Sequence, residues 1–323
     1  MNRARLALML TAVVIAVAAC GGGGASGAVT GPPSAATAPS GDPTKDKLAL
    51  VMARGTLVLS TDPDYAPQSF VVKGATRASS TTCAPNEMTA PEVSGYDTET
   101  GKLVAAELGL EPCFVTEPWA QIIAGGWGDR WDVAWGSGAL TASRMKVLYM
   151  TQPYYTTPAN YFVRTDSTYQ VATDLAGKQV GACAGCTHEQ YLRGTLTLPG
   201  ETLTYPVKDP KIVTFASEVP GLQALQDGKI DAFLCSQPVG AAAIADGAPL
   251  RMLKEPAFTT EKVGYADRGS TLAPGPFLDR IDAAVAALHQ SGKLAAMSKQ
   301  WFGVDFATAA GTFDLGSVGQ QVP

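Results

Sequence analysis

The residues with the clearest chemistry lie between Asp132 and Tyr155, in DVAWGSGALTASRMKVLYMTQPYY. Val133-Ala134-Trp135 reads as a buried strand that breaks at Gly136-Ser137-Gly138, and a helix is expected from Thr141 with Arg144 in its first turn. Small residues at a strand end bring backbone N–H and C=O groups close to a ligand. Thr141 can cap the helix and leave amides free for an anion. The planar guanidinium of Arg144 can grip a carboxylate through two charge-assisted hydrogen bonds. Together these features describe the carboxylate-gripping corner of a small-molecule cleft, although an ordinary cap followed by a surface Arg would carry the same residues. A second cluster, Cys183-Ala184-Gly185-Cys186-Thr187-His188, has a CxxC spacing that suits a redox pair or, with His188, a metal site. There is no second CxxC, and the spacing lies across a strand-to-turn junction, so neither a metal nor a cofactor is expected. His188 and His289 are the chain's two histidines. Neither sits in a nucleophile–base arrangement, and the chain is not expected to be an enzyme.

These groups need a scaffold, and hydrophobic patterning indicates its type. Short apolar runs at Thr56–Ser60, Cys113–Val115, Asp132–Trp135, Tyr161–Arg164, Gln179–Cys183, Ile230–Leu234 and Lys262–Ala266 read as strands. Helices are expected at Lys45–Arg54, Trp119–Ala124, His188–Leu192, Val219–Gln226, Phe277–Leu288 and Leu294–Trp301, with another opening at Gly95-Tyr96-Asp97. Alternating strands and helices predict a parallel sheet covered on both faces. Residues 73–94 are polar, contain Cys83 and read as an insertion, and the tail after Phe306 is expected on the surface. Trp127, Trp131 and Trp135 are expected in the core or packed under loops, and Asp132 is expected to be structural.

Composition narrows the setting. Arg3 and Arg5 precede a short apolar run, and Val17-Ala18-Ala19-Cys20 follows. Residues 1–19 read as a secretory signal peptide, ending in a site that resembles the bacterial lipoprotein cleavage box. Cleavage before Cys20 and lipidation of its sulfur are expected; at roughly 0.8 kcal/mol per buried CH₂, several acyl chains hold a protein on a membrane. Residues 20–44, rich in Gly, Ala, Ser, Thr and Pro, read as a flexible tether. Charged residues make up 16% of the chain and the net charge is −5. With no basic stripe, nucleic acid is not expected as a partner. Six cysteines in an exported chain favour disulfides. Setting Cys20 aside leaves an odd number, so one thiol should be free.

Four ordered segments carry a family resemblance: TDPDYAP (61–67); SGYDTETGKLVAAELGLE (94–111); WDVAWGSGALTASRMKVLYMTQPYY (131–155); and DLAGKQVGACAGCTHEQYL (174–192) with LQDGKIDAF (225–233). In these the chain resembles the extracellular solute-binding proteins of ABC importers, in the group serving polar amino acids. The resemblance implies an α/β, two-lobe periplasmic-binding-protein fold (type II), with two crossing hinge strands and a ligand cleft between the lobes. Lobe 1 would comprise residues 45–162 and 265–306, lobe 2 residues 163–264, and residues 307–323 a C-terminal tail. It implies an extracytoplasmic monomer, lipid-anchored on the periplasmic side or outer face of the cell membrane, that hands a carboxylate-bearing solute to ABC permease subunits. The alternatives are an enzyme on the same fold, similar to cyclohexadienyl dehydratase, and a sensor input domain, which would need a membrane span and signalling segment beyond GSVGQQVP.

Residue by residue, the resemblance places Tyr65 and Trp119 as aromatic walls and Asp62 facing the cleft. Ser137 and Ala139 would bind ligand through backbone groups, Arg144 would take the ligand carboxylate, and Thr187 would assist it. Cys183 and Ser236 would line the second lobe. Ser236 stands where amino-acid binders usually carry an acid for the ligand ammonium, so that role would fall to another acid such as Asp62 or Glu117, or the ligand has no ammonium. With the lobes so assigned, Cys83–Cys113 and Cys183–Cys235 are the expected disulfides, leaving Cys186 free.

Overall fold

The structure, a computed structural model, describes residues 41–320. The expected signal peptide, the Cys20 lipidation site and the tether as far as residue 40 lie outside the described residues. Within them, helix α1 (Lys47–Arg54) starts where the Asp46 carboxylate accepts from the Ala49 amide and ends at Gly55, whose φ of 77° is the left-handed conformation glycine favours. Strand β1 (Thr56–Thr61) is buried throughout and leads into a small sheet of β2 (Asp64–Tyr65), β3 (Ser69–Val71) and, after the inserted segment and β4 (Met88–Thr89), β5 (Val93–Ser94). Helix α2 (Tyr96–Leu108), strand β6 (Glu111–Thr116), helix α3 (Trp119–Ala124), strand β7 (Val133–Ala139) and strand β8 (Leu148–Met150) follow. Strand β9 (Tyr155–Arg164) leaves this half of the sheet.

The other half comprises β10 (Gln179–Cys183), α4 (Thr187–Leu192), β11 (Lys211–Phe215), α5 (Glu218–Gln226), β12 (Ala232–Ser236), α6 (Gln237–Ala245) and β13 (Leu250–Met252). Strand β14 (Phe258–Asp267) returns, and α7 (Gly275–Gln290) and α8 (Lys293–Phe302) cover the first half. The main path of the large sheet runs β11-β10-β12-β9-β14-β7-β1-β6-β4. Each end holds a parallel core, β6-β1-β7 and β11-β10-β12, and the ten-residue strands β9 and β14 join the two cores antiparallel. A parallel core needs both faces covered. In the first half Tyr96, Val104, Phe277 and Ile281 pack on one face, and Ile122, Trp131, Leu148 and Met150 on the other. In the second, Val180, Ala182 and Leu234 lie on one face, and Phe233, Leu222 and Val239 on the other.

Several expectations change. The helix expected at Thr141 is only a 3₁₀ turn, Arg144–Lys146, because residues 148–150 are drawn into β8 beside β14. Thr141 Oγ1 still receives the Arg144 amide at 3.3 Å. The tail after Phe306 lies largely on the surface, as expected, and is anchored there: Ala307, Ala310 and Leu315 are buried, and the Gln320 amide bonds both backbone groups of Met150. Among the described residues no helix is long and apolar enough to cross a membrane. Trp127, Trp131 and Trp135 are all buried, the first two stacked at 5.0 Å between centroids.

The expected Cys83–Cys113 disulfide is present, with Cα atoms 5.5 Å apart. It ties the insertion to β6, and Arg77 adds bonds to the carbonyls of Cys83, Ala84 and Glu87. Closing a loop with a sequence separation of 30 removes unfolded-chain entropy equivalent to about 3–4 kcal/mol. Replacing both cysteines with Ser should lower unfolding stability by about that amount, read by denaturant unfolding. Unchanged stability would show that the link does not constrain the chain.

Candidate ligand-binding site

The ends of both parallel cores meet a cavity of about 40 Å³ lined from both halves. That space holds only about three waters at ~10–15 Å³ each. The halves touch across it. Tyr65 Oη lies 2.8 Å from Ser236 Oγ, and the Ala142 amide donates to the Thr197 carbonyl at 3.2 Å. Eight of the nine expected site residues line the cavity: Asp62, Tyr65, Trp119, Ser137, Ala139, Arg144, Cys183 and Thr187. Ser236 is reached through Tyr65.

Arg144 is 4% exposed. Its Nη1 donates to the Ala139 carbonyl at 3.2 Å and to Tyr265 Oη at 3.0 Å, and its Nη2 to the Gly185 carbonyl, across the cavity, at 3.4 Å. The Trp119 ring centroid lies 5.1 Å from the guanidinium carbon. Every one of those acceptors is a neutral oxygen, and Nε has no partner. A buried cation with only neutral partners favours an anion at its open side.

The expected break at Gly136-Ser137-Gly138 does not occur, because β7 runs on through these residues to Ala139, and they serve this arginine differently from the expectation. A Cβ on Gly138 would lie 2.3 Å from Tyr265 Cζ, so glycine admits the ring whose hydroxyl holds Arg144 and donates to Ala139 O at 2.7 Å. The Ser137 amide, expected to face a ligand, donates to Tyr154 Oη at 2.8 Å, and the Ala139 carbonyl is occupied by Arg144 and Tyr265. Ser137 has a φ of 56°, uncommon outside glycine. Its hydroxyl donates to Asp97 Oδ2 at 2.5 Å and contacts Tyr155 Oη. Burial raises the Asp97 pKa to about 7, although bonds from Ser137 and Tyr154 oppose the rise.

His188, already marked by the CxxC spacing, also lines the cavity, with two groups that spacing did not reveal, Glu218 and Lys262. Glu218, the first residue of α5, is 2% exposed. Its Oε1 is 3.1 Å from His188 Nδ1 and accepts the Ser236 amide at 3.4 Å, and its Oε2 has no partner. Burial raises its pKa, opposed by Lys262. Lys262, on crossing strand β14, is 3% exposed, and burial lowers its pKa while Glu218 counters the fall. His188 is held neutral by burial and by the cations Lys262 and Arg144, so its 3.1 Å approach to Glu218 is not an ion pair. Lys262 just ahead of the Val263–Ala266 run is a signal visible in sequence; nothing near Glu218 marks it. Asp62 stays at the rim, where burial raises its pKa and its Oδ1 accepts the Asp64 amide. Glu117 is outside the lining and faces Arg130 at 4.0 Å.

The second-half cysteines pair differently from the expectation. Cys183 bonds Cys186, with Cα atoms 5.5 Å apart, and Cys235 is the free, buried thiol. The turn through Gly185, at φ 71°, folds Cys186 back onto the end of β10, while Cys235 is packed among Phe162, Leu222 and Phe233. Cys186 rather than Thr187 occupies the N-cap of α4, and Thr187 is its first helical residue.

Two parallel cores joined by paired crossing strands, with a charged cavity where they meet, define a two-lobe solute-binding protein of the type II periplasmic-binding-protein fold. The family model for bacterial extracellular solute-binding proteins, family 3, matches residues 57–304, and the chain belongs to that family. It is similar to the L-cystine-binding protein TcyJ of Escherichia coli (strain K12), at 24% identity over 79% of this chain and 85% of that one. It is also similar to ABC transporter arginine-binding protein 1 of the same strain, at 24% identity over 65% and 82%. Among solved structures, the ancestral amino-acid-binding protein AncCDT-1, a precursor of cyclohexadienyl dehydratase, aligns with a TM-score of 0.64 and 23% identity, covering 80% of this chain and all of that one. The substrate-binding protein of an amino acid ABC transporter aligns at 0.62 and 20%, covering 77% and 100%.

Proposed function

We propose that this protein captures a small zwitterionic amino acid outside the cytoplasm, held to the membrane through lipid on Cys20, and delivers it to the permease of an ABC importer. Arg144 takes the α-carboxylate. The α-ammonium goes to Glu218, which replaces both Asp62 and Glu117 in that role, while Tyr65 and Trp119 flank the rest of the solute. The observation that carries this reading is a pair that lines one cavity: a guanidinium with only neutral partners, and a buried carboxylate with one oxygen unpartnered. The halves act as hinged lobes, 45–162 with 265–306 and 163–264, crossing at β9 and β14. A cavity of about 40 Å³ has to widen for the solute to enter, as a hinge motion allows.

Calorimetric titration with the twenty amino acids and with simple carboxylates tests the reading, and binding confined to ammonium-free acids refutes it. Glu218→Gln keeps the shape and removes the charge. A hydrogen bond to a charged group contributes ~1.5–3 kcal/mol, so affinity should fall about 10- to 150-fold. The pH dependence has a definite sign. Burial raises the Glu218 pKa to about 8 in the free protein, and a bound ammonium lowers it. Binding near neutral pH therefore releases a proton, and affinity rises with pH until that pKa is passed. In Glu218→Gln the rise should be absent. If the variant keeps both the wild-type affinity and the wild-type slope, another group holds the ammonium.

A further inference from the structure

The CxxC motif in the cavity wall has a property that its spacing did not reveal. Cys183 Sγ is 3.8 Å from His188 Nδ1 and 4.0 Å from Glu218 Oε1, and that oxygen is 3.1 Å from the same ring nitrogen. The Sγ of Cys186 lies within 4.8 Å of the Cys183 and His188 donors. A tetrahedral zinc ion, with bonds of ~2.3 Å to sulfur and ~2.0–2.1 Å to nitrogen and oxygen, separates its ligands by roughly 3.3–3.8 Å. The Cys183–His188 separation matches that figure and the two Glu218 Oε1 separations fall just either side of it, while Cys186 has to swing away from Cys183 and toward Glu218 once the two sulfurs are no longer bonded. The fourth donor, Glu218, comes from a helix thirty residues further along the chain, outside the reach of any CxxC spacing. Independent support comes from Glu218 Oε2, which is buried, lines the cavity and has no partner.

We propose that Cys183, Cys186, His188 and Glu218 form a latent site for a soft divalent cation such as Zn²⁺, closed by the Cys183–Cys186 disulfide and opened by its reduction. A dithiol reductant supplies two electrons and two protons and is itself oxidised to a disulfide. The protein S–S bond breaks and gives two thiols. On binding Zn²⁺ both thiols release their protons, as does the Glu218 carboxyl where it is protonated, and two thiolates, a neutral imidazole and a carboxylate complete the coordination. Imidazole binds metal in its neutral form, the form His188 already has. The disulfide thus keeps the solute cavity free of metal in an oxidising compartment, and its reduction exchanges one ligand chemistry for another at the same wall.

The test uses the full chain and Co²⁺ as a spectroscopic stand-in for Zn²⁺. The oxidised protein should show no thiolate-to-cobalt charge-transfer absorption. After reduction with dithiothreitol and its removal under anaerobic conditions, one equivalent of Co²⁺ should bring the absorption up, and Zn²⁺ should abolish it. The C183S/C186S variant should lose the absorption, and C83S/C113S, altered in the other disulfide, should keep it. E218Q should weaken Co²⁺ binding at least about tenfold. C186H needs no reductant, because it cannot form the disulfide and leaves Cys83–Cys113 intact. It should bind Zn²⁺ as isolated. Three outcomes overturn the proposal: no binding by either reduced wild type or C186H, absorption persisting in C183S/C186S, or an unchanged affinity in E218Q.

Discussion

Replacing Arg144 with Ala should abolish solute binding under ordinary assay conditions while leaving the protein folded. Truncating one partner of a buried, hydrogen-bonded charge pair costs about 2–5 kcal/mol, or roughly 30- to 5,000-fold in affinity. The upper part of that range is expected for three reasons. The guanidinium is almost fully withdrawn from water. It is fixed between Trp119 and Tyr265, with Ala139 and Gly185 holding two of its nitrogens. Its Nε has no protein partner. Arg144→Lys should recover only part of the loss, because an ammonium keeps the charge but lacks the planar fork. Calorimetry on both variants, with thermal unfolding as the folding control, reads the effect. Wild-type affinity in a folded Arg144→Ala protein would remove the basis of the proposed function.

Asp132→Ala should destabilise the protein by about 3–5 kcal/mol, the cost of breaking a buried ion pair by removing one partner. The Asp132 carboxylate is 1% exposed. It lies 3.4 Å from Lys47 Nζ, pairs closely with Arg54 and accepts the Val58 amide at 2.9 Å. Lys47 keeps a second partner in Asp129 at 2.7 Å, so Arg54 and the Val58 amide carry most of the loss. The network fastens α1 to β1 and to the start of β7, the strand that leads to Arg144. Solute affinity measured well below the unfolding midpoint should therefore change much less than stability. Asp132→Asn, which can still accept the Val58 amide, should be milder. Urea unfolding measures both variants, and a loss under about 1 kcal/mol, the size of an exposed pair, would show that the network is not holding the helix.

Much of the scaffold is readable from local pattern. The apolar runs at 56–60, 113–115 and 179–183 are strands within a residue or two, and Trp119–Ala124 is a helix at the expected bounds. In those segments burial on both faces, or along one stripe, is written directly into residue type. The elements that escaped notice have weaker signatures. Strand β11 is a short edge strand with no fully buried residue and no clean alternation, β13 has three residues, and α6 is rich in alanine with little contrast between its faces. The loop at 61–67 concealed a two-residue strand because the pairing that defines β2 comes from β3, not from its own residues.

By itself the sequence determined the family, the sheet-and-helix alternation, the insertion tied by Cys83–Cys113, and Arg144 as the cation of the proposed site. These follow from residue types and ordered spacing along one stretch of chain. Tertiary structure alone decided which buried acid shares the cavity with that cation, which sulfur Cys183 joins, and that Gly138 serves Tyr265. Glu218, His188 and Lys262 converge from three separate elements. Their protonation is governed by burial and by one another's charge, quantities that exist only once the chain has closed around them.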